Sequence, residues 1–284
     1  MVSASGCGDF RLTKYSPVSL CDLTRLGEHG RRGVTRLLPL LFRLGTGICV
    51  TMQTVLAVVM ERYMRKAENF SVLTATIAFI DLAGFSAIAD VYGDRAAVDV
   101  LERFERMVCD ALNDYEPPIK WIGDEAMLSF PEPQMAIQAL GTLVQACRKE
   151  PRLPLTRAGL NHGPVIRRGR DLFGSTVNIA ARVAALATPG QLLATQLIAE
   201  AAVAKGILVR DLGTVALRSV VEEVSLFEIE LAPSADPAWI DPVCKMHAPY
   251  SSYRRAAPQG PWFCSPRCED AYRRSPQTYE VFRG

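Results

Sequence analysis

The stretch PPIKWIGDEAMLSFP, residues 117–131, decides how the chain is read. Its apolar residues suggest a hairpin buried in a sheet, with Gly123 at the turn. Yet Lys120, Asp124 and Glu125 crowd around that glycine. Charged side chains are rarely buried without partners. The hairpin therefore implies groups elsewhere in the chain for the lysine and the carboxylates to face. Read singly, Asp124 is a turn residue at the hairpin tip, Glu125 faces solvent or caps the hairpin, and Trp121 packs.

Outward from the hairpin, residues 71–231 alternate strand and helix signals. TATIAFIDL reads as a strand rich in β-branched and aromatic residues. DRAAVDVLERFERMVCDALNDY reads as a helix, with Val98, Leu101, Val108, Leu112 and Tyr115 on one face and Asp94 as N-cap. PQMAIQALGTLVQACRK is a second helix. LTRAGLNHGPV is a strand entering a Gly-Pro turn, which makes His162 a turn residue. STVNIAARVAAL is a third helix, ended by TPG. QLLAT, GILVRDLG, TVALRSV and EVSLFEIEL are later strands, with a short helix after Thr195. The order predicts an α+β domain on a mostly antiparallel sheet, not repeated βα units.

Three groups of polar residues stand out. Asp81 ends the first strand, with Gly84 allowing a tight turn, and Asp124 follows Gly123 at the hairpin tip. Two carboxylates at strand ends suit hard divalent cations, which take few protein carboxylates and share substrate phosphates. Asn178 and Arg182 lie four apart among alanines and valines, hence on one helix face. That is either an exposed face or an amide and a guanidinium aimed at a phosphoryl group. Asp171 precedes this helix, as a loop carboxylate or as an acceptor for the amino group of a base.

In this order FIDLAGFS, KWIGDEAML and DLFGSTVNIAARV resemble the class III nucleotidyl cyclase catalytic domain, over about residues 70–231. AGLNHGPV and LRSVVEEVSLFEI fit the family's later core. The resemblance implies a ferredoxin-like (βαββαβ), palm-type domain. It implies that Asp81 and Asp124 hold two Mg²⁺ or Mn²⁺ ions and that Lys120 and Asp171 read the purine. Asn178 and Arg182 would then be the transition-state residues. Backbone groups of Leu82, Ala83 and Gly84 are expected near metal or phosphate. Where the family often has Lys-Gly for the triphosphate, this chain has Arg218-Ser219, so Arg218 enters with a different reach.

The implied activity is conversion of ATP to 3′,5′-cyclic AMP and pyrophosphate in a head-to-tail homodimer. Lysine only donates and an ionised aspartate only accepts, which matches the adenine edge and mismatches guanine. GTP cyclisation and a non-catalytic nucleotide or metal sensor on the same scaffold are the alternatives. GDEA also faintly echoes diguanylate cyclases, but their Gly-Gly doublet is missing and that reading leaves Asn178 and Arg182 unexplained.

Charge is uneven. Residues 1–70 carry 10 Lys and Arg against 5 Asp and Glu, residues 71–239 carry 15 against 21, and residues 240–284 carry 7 against 4. A nucleic-acid partner is not expected, since it needs a clustered basic face. After a two-proline linker at 232–239, DPVCKM and WFCSPRCEDAYRRSPQTYE place Cys244, Cys264 and Cys268 at Cys-x19-Cys-x3-Cys. Residues 240–284 resemble the YHS domain, a small treble-clef-like module, although Lys245 stands where that family usually has Gly. Three thiolates suit Zn²⁺ or another soft metal, with His247 as a candidate fourth ligand; a metal-free mini-core is the alternative.

Residues 1–69 read as an N-terminal extension, partly disordered, with an apolar, helical segment at 37–66. Arg43 and Gln53 interrupt the 37–60 run. An amphipathic helix is therefore favoured over a membrane span, and a start at Met52 or Met60 stays open. With no signal peptide in view and scattered Cys7, Cys21, Cys49, Cys109 and Cys147, a reducing cytoplasm is the expected compartment. Membrane association through 37–60 is the less favoured alternative.

Overall fold

The computed structural model describes residues 70–233, 235–247 and 260–279. The readings made for residues 1–69 lie outside them. Residues 67–284 form one compact unit.

The chain runs β1 (Phe70–Leu82), α1 (Phe85–Tyr92), α2 (Asp94–Ala111), β2 (Lys120–Ile122), β3 (Glu125–Phe130), α3 (Pro133–Lys149), β4 (Thr156–Arg168), β5 (Asp171–Phe173), α4 (Ser175–Leu186), β6 (Leu192–Thr195), α5 (Gln196–Ala204), β7 (Val209–Val215), β8 (Val224–Ile229) and α6 (Pro266–Arg274). The strands order as β2-β3-β1-β4-β6-β8-β7, with β5 beside β4. β4 and β6 pair in parallel and every other pair is antiparallel. The first four strands of that order, with α2 and α3 between them in sequence, make the expected βαββαβ unit.

The run ATIAFI is apolar at every position but Thr76 because β1 is covered on both faces. Side chains alternate across a strand. Ala78, Ile80 and Leu82 join the cluster formed with Phe104 and Val108 of α2, Leu140 and Leu143 of α3, and Ile198 of α5. Ala75, Ile77 and Phe79 join Met127 and, from α4, Ala180 and Ala184.

α4 lies very close to β4. A Cβ on Gly159 would come within 2.0 Å of the Ala184 backbone nitrogen, so only hydrogen fits there. Beside it, Asn161 donates to the Thr176 carbonyl (3.2 Å) and accepts from Thr195 (2.8 Å), which satisfies a buried amide.

Several local expectations are corrected. Gly163 and Pro164 make no turn: β4 pairs with β1 from Thr156 to Arg168. Proline fits because β6 takes residues 158–160 and β5 takes residues 166–168, so no partner on that side needs its missing N–H. His162 is accordingly a strand residue, with Nδ1 2.8 Å from Thr76 Oγ1. Gly93, not Asp94, is the N-cap of α2, and Asp94 sits in the first turn, where its charge suits the helix dipole. Val98 is exposed; Ala97, Phe104 and Val108 form the buried stripe of α2. TVALRSV is no strand after Val215, because Ser219 takes a left-handed φ of 59° and Val220 N–H turns back to the Leu217 carbonyl (3.0 Å).

Candidate active site

The antiparallel register of β1 with β4 sets Asp81 opposite Arg157. The guanidinium grips the carboxylate with Nε at 2.8 and 3.0 Å from its two oxygens and Nη2 at 2.8 Å. Asp124 is brought to the same place by the hairpin, where its carboxyl feels the charges of Asp81 and Arg157. Burial pushes the Asp124 carboxyl above its ordinary value. The neighbouring Asp81 charge adds to that rise, and Arg157 opposes it.

Glu125 belongs to this group as well. It is half-buried at the start of β3, paired with Ile122. Burial first, and then the Asp81 charge, push it up to about 7. The solvent-facing role expected for Glu125 is therefore corrected. Three carboxyls share one region, with Arg157 as a counter-charge. Negative charge that adds to the rise of Asp124 and Glu125 is the electrostatic condition a divalent cation relieves.

The turn after Asp81 is tight, with Gly84 at φ 77°. Leu82 and Ala83 are buried. The N–H of Ala83 donates to the Leu155 carbonyl (2.8 Å). Of the three backbone groups expected near metal or phosphate, the Ala83 N–H is therefore engaged within the protein.

A second group forms at the other end of β2. Lys120 Nζ lies 2.9 Å from both oxygens of Asp171, although the two are 51 residues apart. The ammonium also stands 5.8 Å from the centre of the Phe173 ring. β5 delivers Asp171 because Arg168 pairs with it across β4. The two residues singled out as base readers thus form one donor–acceptor pair beside an aromatic face. Their side chains keep about a third of their exposure (36% and 35%), enough for a ligand to reach them.

Asn178 and Arg182 occupy successive turns of α4, and Arg182 Nη1 rests on the Asn178 carbonyl at 3.1 Å. Arg218 lies on the exposed turn between β7 and β8. Among the C-terminal cysteines, Cys244, Cys264 and Cys268 come together as expected. The group that could hold a metal includes Asp241 and not His247: ligand atoms of Asp241 and the three cysteines lie within 4.8 Å of one another. His247 instead pairs with Ile240 in an isolated bridge. Sequence reasoning missed Arg157, Glu125 and Asp241. The arginine two residues before Gly159 in LTRAGL offered a signal only to a reader who already knew the β1–β4 register.

Among the described residues no helix is long and apolar enough to cross a membrane. No protein-family model matches the chain. Over 129 residues it is 34% identical to a pH-sensitive adenylate cyclase of Mycobacterium tuberculosis, covering 44% of this chain and 32% of that protein. Over 122 residues it is 30% identical to an adenylate cyclase of Glutamicibacter nicotianae, covering 43% and 30%. The chain thus spans about a third of the length of these curated relatives. Among solved structures, an adenylate cyclase of Trypanosoma brucei superposes with a TM-score of 0.52 at 20% identity, covering 57% of this chain and 92% of that one. An adenylate/guanylate cyclase/hydrolase from Silicibacter pomeroyi does so with 0.50 at 24%, covering 57% and 98%. A rhodopsin-guanylyl cyclase core of converted specificity, in complex with ATPαS, gives 0.51 at 18%, covering 56% and 97%. These likenesses identify the fold as that of the adenylyl and guanylyl cyclase catalytic domains.

Proposed function

We propose that this chain is an adenylate cyclase that converts ATP to 3′,5′-cyclic AMP and pyrophosphate at sites shared between two copies. The observation that carries the reading is the pairing of two separate constellations on one sheet. One is the carboxylate group of Asp81 and Asp124. The other is the Lys120–Asp171 pair.

In the reaction the ribose 3′-oxygen bonds to the α-phosphorus, the bond to the β-phosphate bridging oxygen breaks, and the hydroxyl proton leaves to solvent. Little covalent work falls to the protein, so positioning and charge stabilisation dominate. Asp81 and Asp124 would hold Mg²⁺ or Mn²⁺; such ions, when bound, lower the pKa of the hydroxyl and neutralise the leaving pyrophosphate. The Asp124 carboxyl, raised by burial and by the neighbouring Asp81 charge, fits that role. Lys120 donates to a ring nitrogen of adenine and Asp171 accepts from its amino group, exchanging their bond to each other for bonds to the base. Guanine presents the reverse polarity and would leave both groups mismatched. Arg182 stabilises charge growing on the α-phosphate, and Asn178 orients the ribose. Arg218 approaches the triphosphate from the β7–β8 turn.

The C-terminal cysteine segment is assigned a regulatory role, because its donors form a cluster separate from both constellations. The test is product identification. Purified full chain is incubated with ATP or GTP and Mg²⁺ or Mn²⁺. Cyclic AMP from ATP is expected, with turnover falling about 100-fold or more in Asp124→Ala. A folded protein inert toward both nucleotides would instead favour a non-catalytic sensor.

A further inference from the structure

The sulfur atoms of the C-terminal cluster are spaced for a shared ion. Cys244 Sγ and Cys264 Sγ are 3.4 Å apart, and Cys264 Sγ and Cys268 Sγ are 3.6 Å apart. These separations are far longer than the ~2.05 Å of a disulfide. They approach the ~3.8 Å edge of a tetrahedron around an ion with metal–sulfur bonds near 2.3 Å. Asp241, Cys244 and Cys268 are fully buried.

Asp241 is also the knot that holds the donors in place. Its Oδ1 accepts from the N–H of Val243 (2.8 Å) and Cys244 (3.3 Å), and its Oδ2 from the N–H of Cys264 (2.6 Å). Ser265 caps α6 through the N–H of Cys268 (3.3 Å), which fixes the third thiol. Cys264 also lines a cavity of about 450 Å³ bordered by Tyr92, Arg103 and Trp262, which offers an ion a route in.

Among the described residues, the apolar side chains of the segment pack on the cyclase-like domain. Val243, Cys244, Phe263, Cys268 and Ala271 pack on Ile88 of α1 and Ala97 of α2. Two attachments connect it to the turn after Asp81. At the far end of α1, the Tyr92 hydroxyl meets Ser265 Oγ (2.5 Å), Cys268 Sγ (3.2 Å) and Cys264 Sγ (3.4 Å). At the near end, Leu155 accepts from the Ala83 N–H (2.8 Å) and donates to the Lys245 carbonyl (3.0 Å). Lys245 follows the first thiol directly. A Cβ on Gly84 would meet Lys245 Cγ at 2.9 Å and the Cys244 carbonyl carbon at 3.2 Å. The donor loop thus rests on the backbone of the candidate nucleotide-binding turn.

We propose that Asp241, Cys244, Cys264 and Cys268 bind one divalent cation of the zinc class, and that this ion locks α1 and the Leu82–Gly84 turn in place. Catalysis then depends on an ion that takes no part in it; that consequence rests on the cyclase reading, whereas the ion and the lock do not. Three sulfurs and a carboxylate oxygen are a borderline-soft set that selects Zn²⁺ over Mg²⁺ or Ca²⁺. So small a segment needs such a staple.

The experiment uses the full chain. Metal content is measured as purified, and the chelator-stripped protein is titrated with Co²⁺. Hydrogen exchange over residues 82–92 is compared with and without Zn²⁺ at constant Mg²⁺. One zinc per chain, the thiolate charge-transfer absorption of tetrahedral Co²⁺, and exchange at least about 10-fold faster after zinc removal are expected. Tyr92→Phe should keep the ion yet show the faster exchange in its zinc-loaded form. Absence of the thiolate–Co²⁺ absorption overturns the site, and unchanged exchange on zinc removal overturns the lock. Stripping wild-type protein needs no substitution, so the test holds even where a Cys264→Ser chain fails to fold. If zinc-loaded protein is inert toward both nucleotides, the cyclase reading falls, while the cobalt and exchange results still decide the zinc site and its lock.

Discussion

At the scale of single residues, the pairing of Arg157 with Asp81 would set the terms for the cation binding we propose. The arginine neutralises one carboxylate and restrains the rise of Asp124 and Glu125. A cation at Asp81 must compete with it. Arg157→Ala should therefore have two effects of opposite sign. Metal-free protein loses stability, by roughly 1–3 kcal/mol for a partly buried charge left without its partner. Mn²⁺ restores more than it gives wild type, because it meets an uncompensated group. The check is thermal unfolding with and without Mn²⁺; equal increments in both proteins would contradict the competition. Lys120, Asp124 and Asp171 were legible in the sequence because each sits in a run of distinctive composition. Arg157 and Glu125 were not, since their roles depend on register and on a strand end folded inward. Asp241 was hidden for a related reason: cysteine spacing announces thiols, but the fourth donor is supplied by the fold.

At the scale of elements, the long apolar strand β1 and helix α4 were legible from pattern alone. The interior of β1 reads as nearly continuous apolar sequence, broken by Thr76, because it is covered on both faces. The misreadings came where local chemistry competes with tertiary pairing. Gly163-Pro164 carries a turn signature, yet the neighbouring strands leave a gap at the proline. TVALRSV alternates like a strand, yet Ser219 turns it. α1 went unread because its eight residues are too few to establish a period. The contact of α4 on β4 is the element-level determinant of where Asn178 and Arg182 stand. Gly159→Ala should push α4 outward, since the added methyl meets backbone and not a flexible side-chain end. Urea unfolding should show a loss of about 1–3 kcal/mol or more. Product formation should fall further than the unfolded fraction accounts for, because both α4 residues move. A variant with wild-type stability and turnover would show that the helix accommodates the methyl.

At the scale of the whole molecule, the two constellations lie at opposite ends of a three-residue strand: Lys120 begins β2, and Asp124 follows its last residue by two. On our reading one substrate is served by the carboxylates of one copy and by the Lys120–Asp171 pair and α4 of another. Such an arrangement makes a sharp arithmetic prediction. Asp81→Ala and Arg182→Ala should each abolish turnover. Equal amounts, allowed to exchange subunits, give about half of all dimers as mixed pairs. In each mixed pair one site combines both defects and the other contains neither. The mixture should therefore recover about one quarter of wild-type activity, from two proteins that are inert alone. Native mass spectrometry of mass-tagged chains verifies that exchange has occurred. With exchange verified, recovery near zero means that each chain uses its own Asp81 and Arg182, and the shared site is wrong.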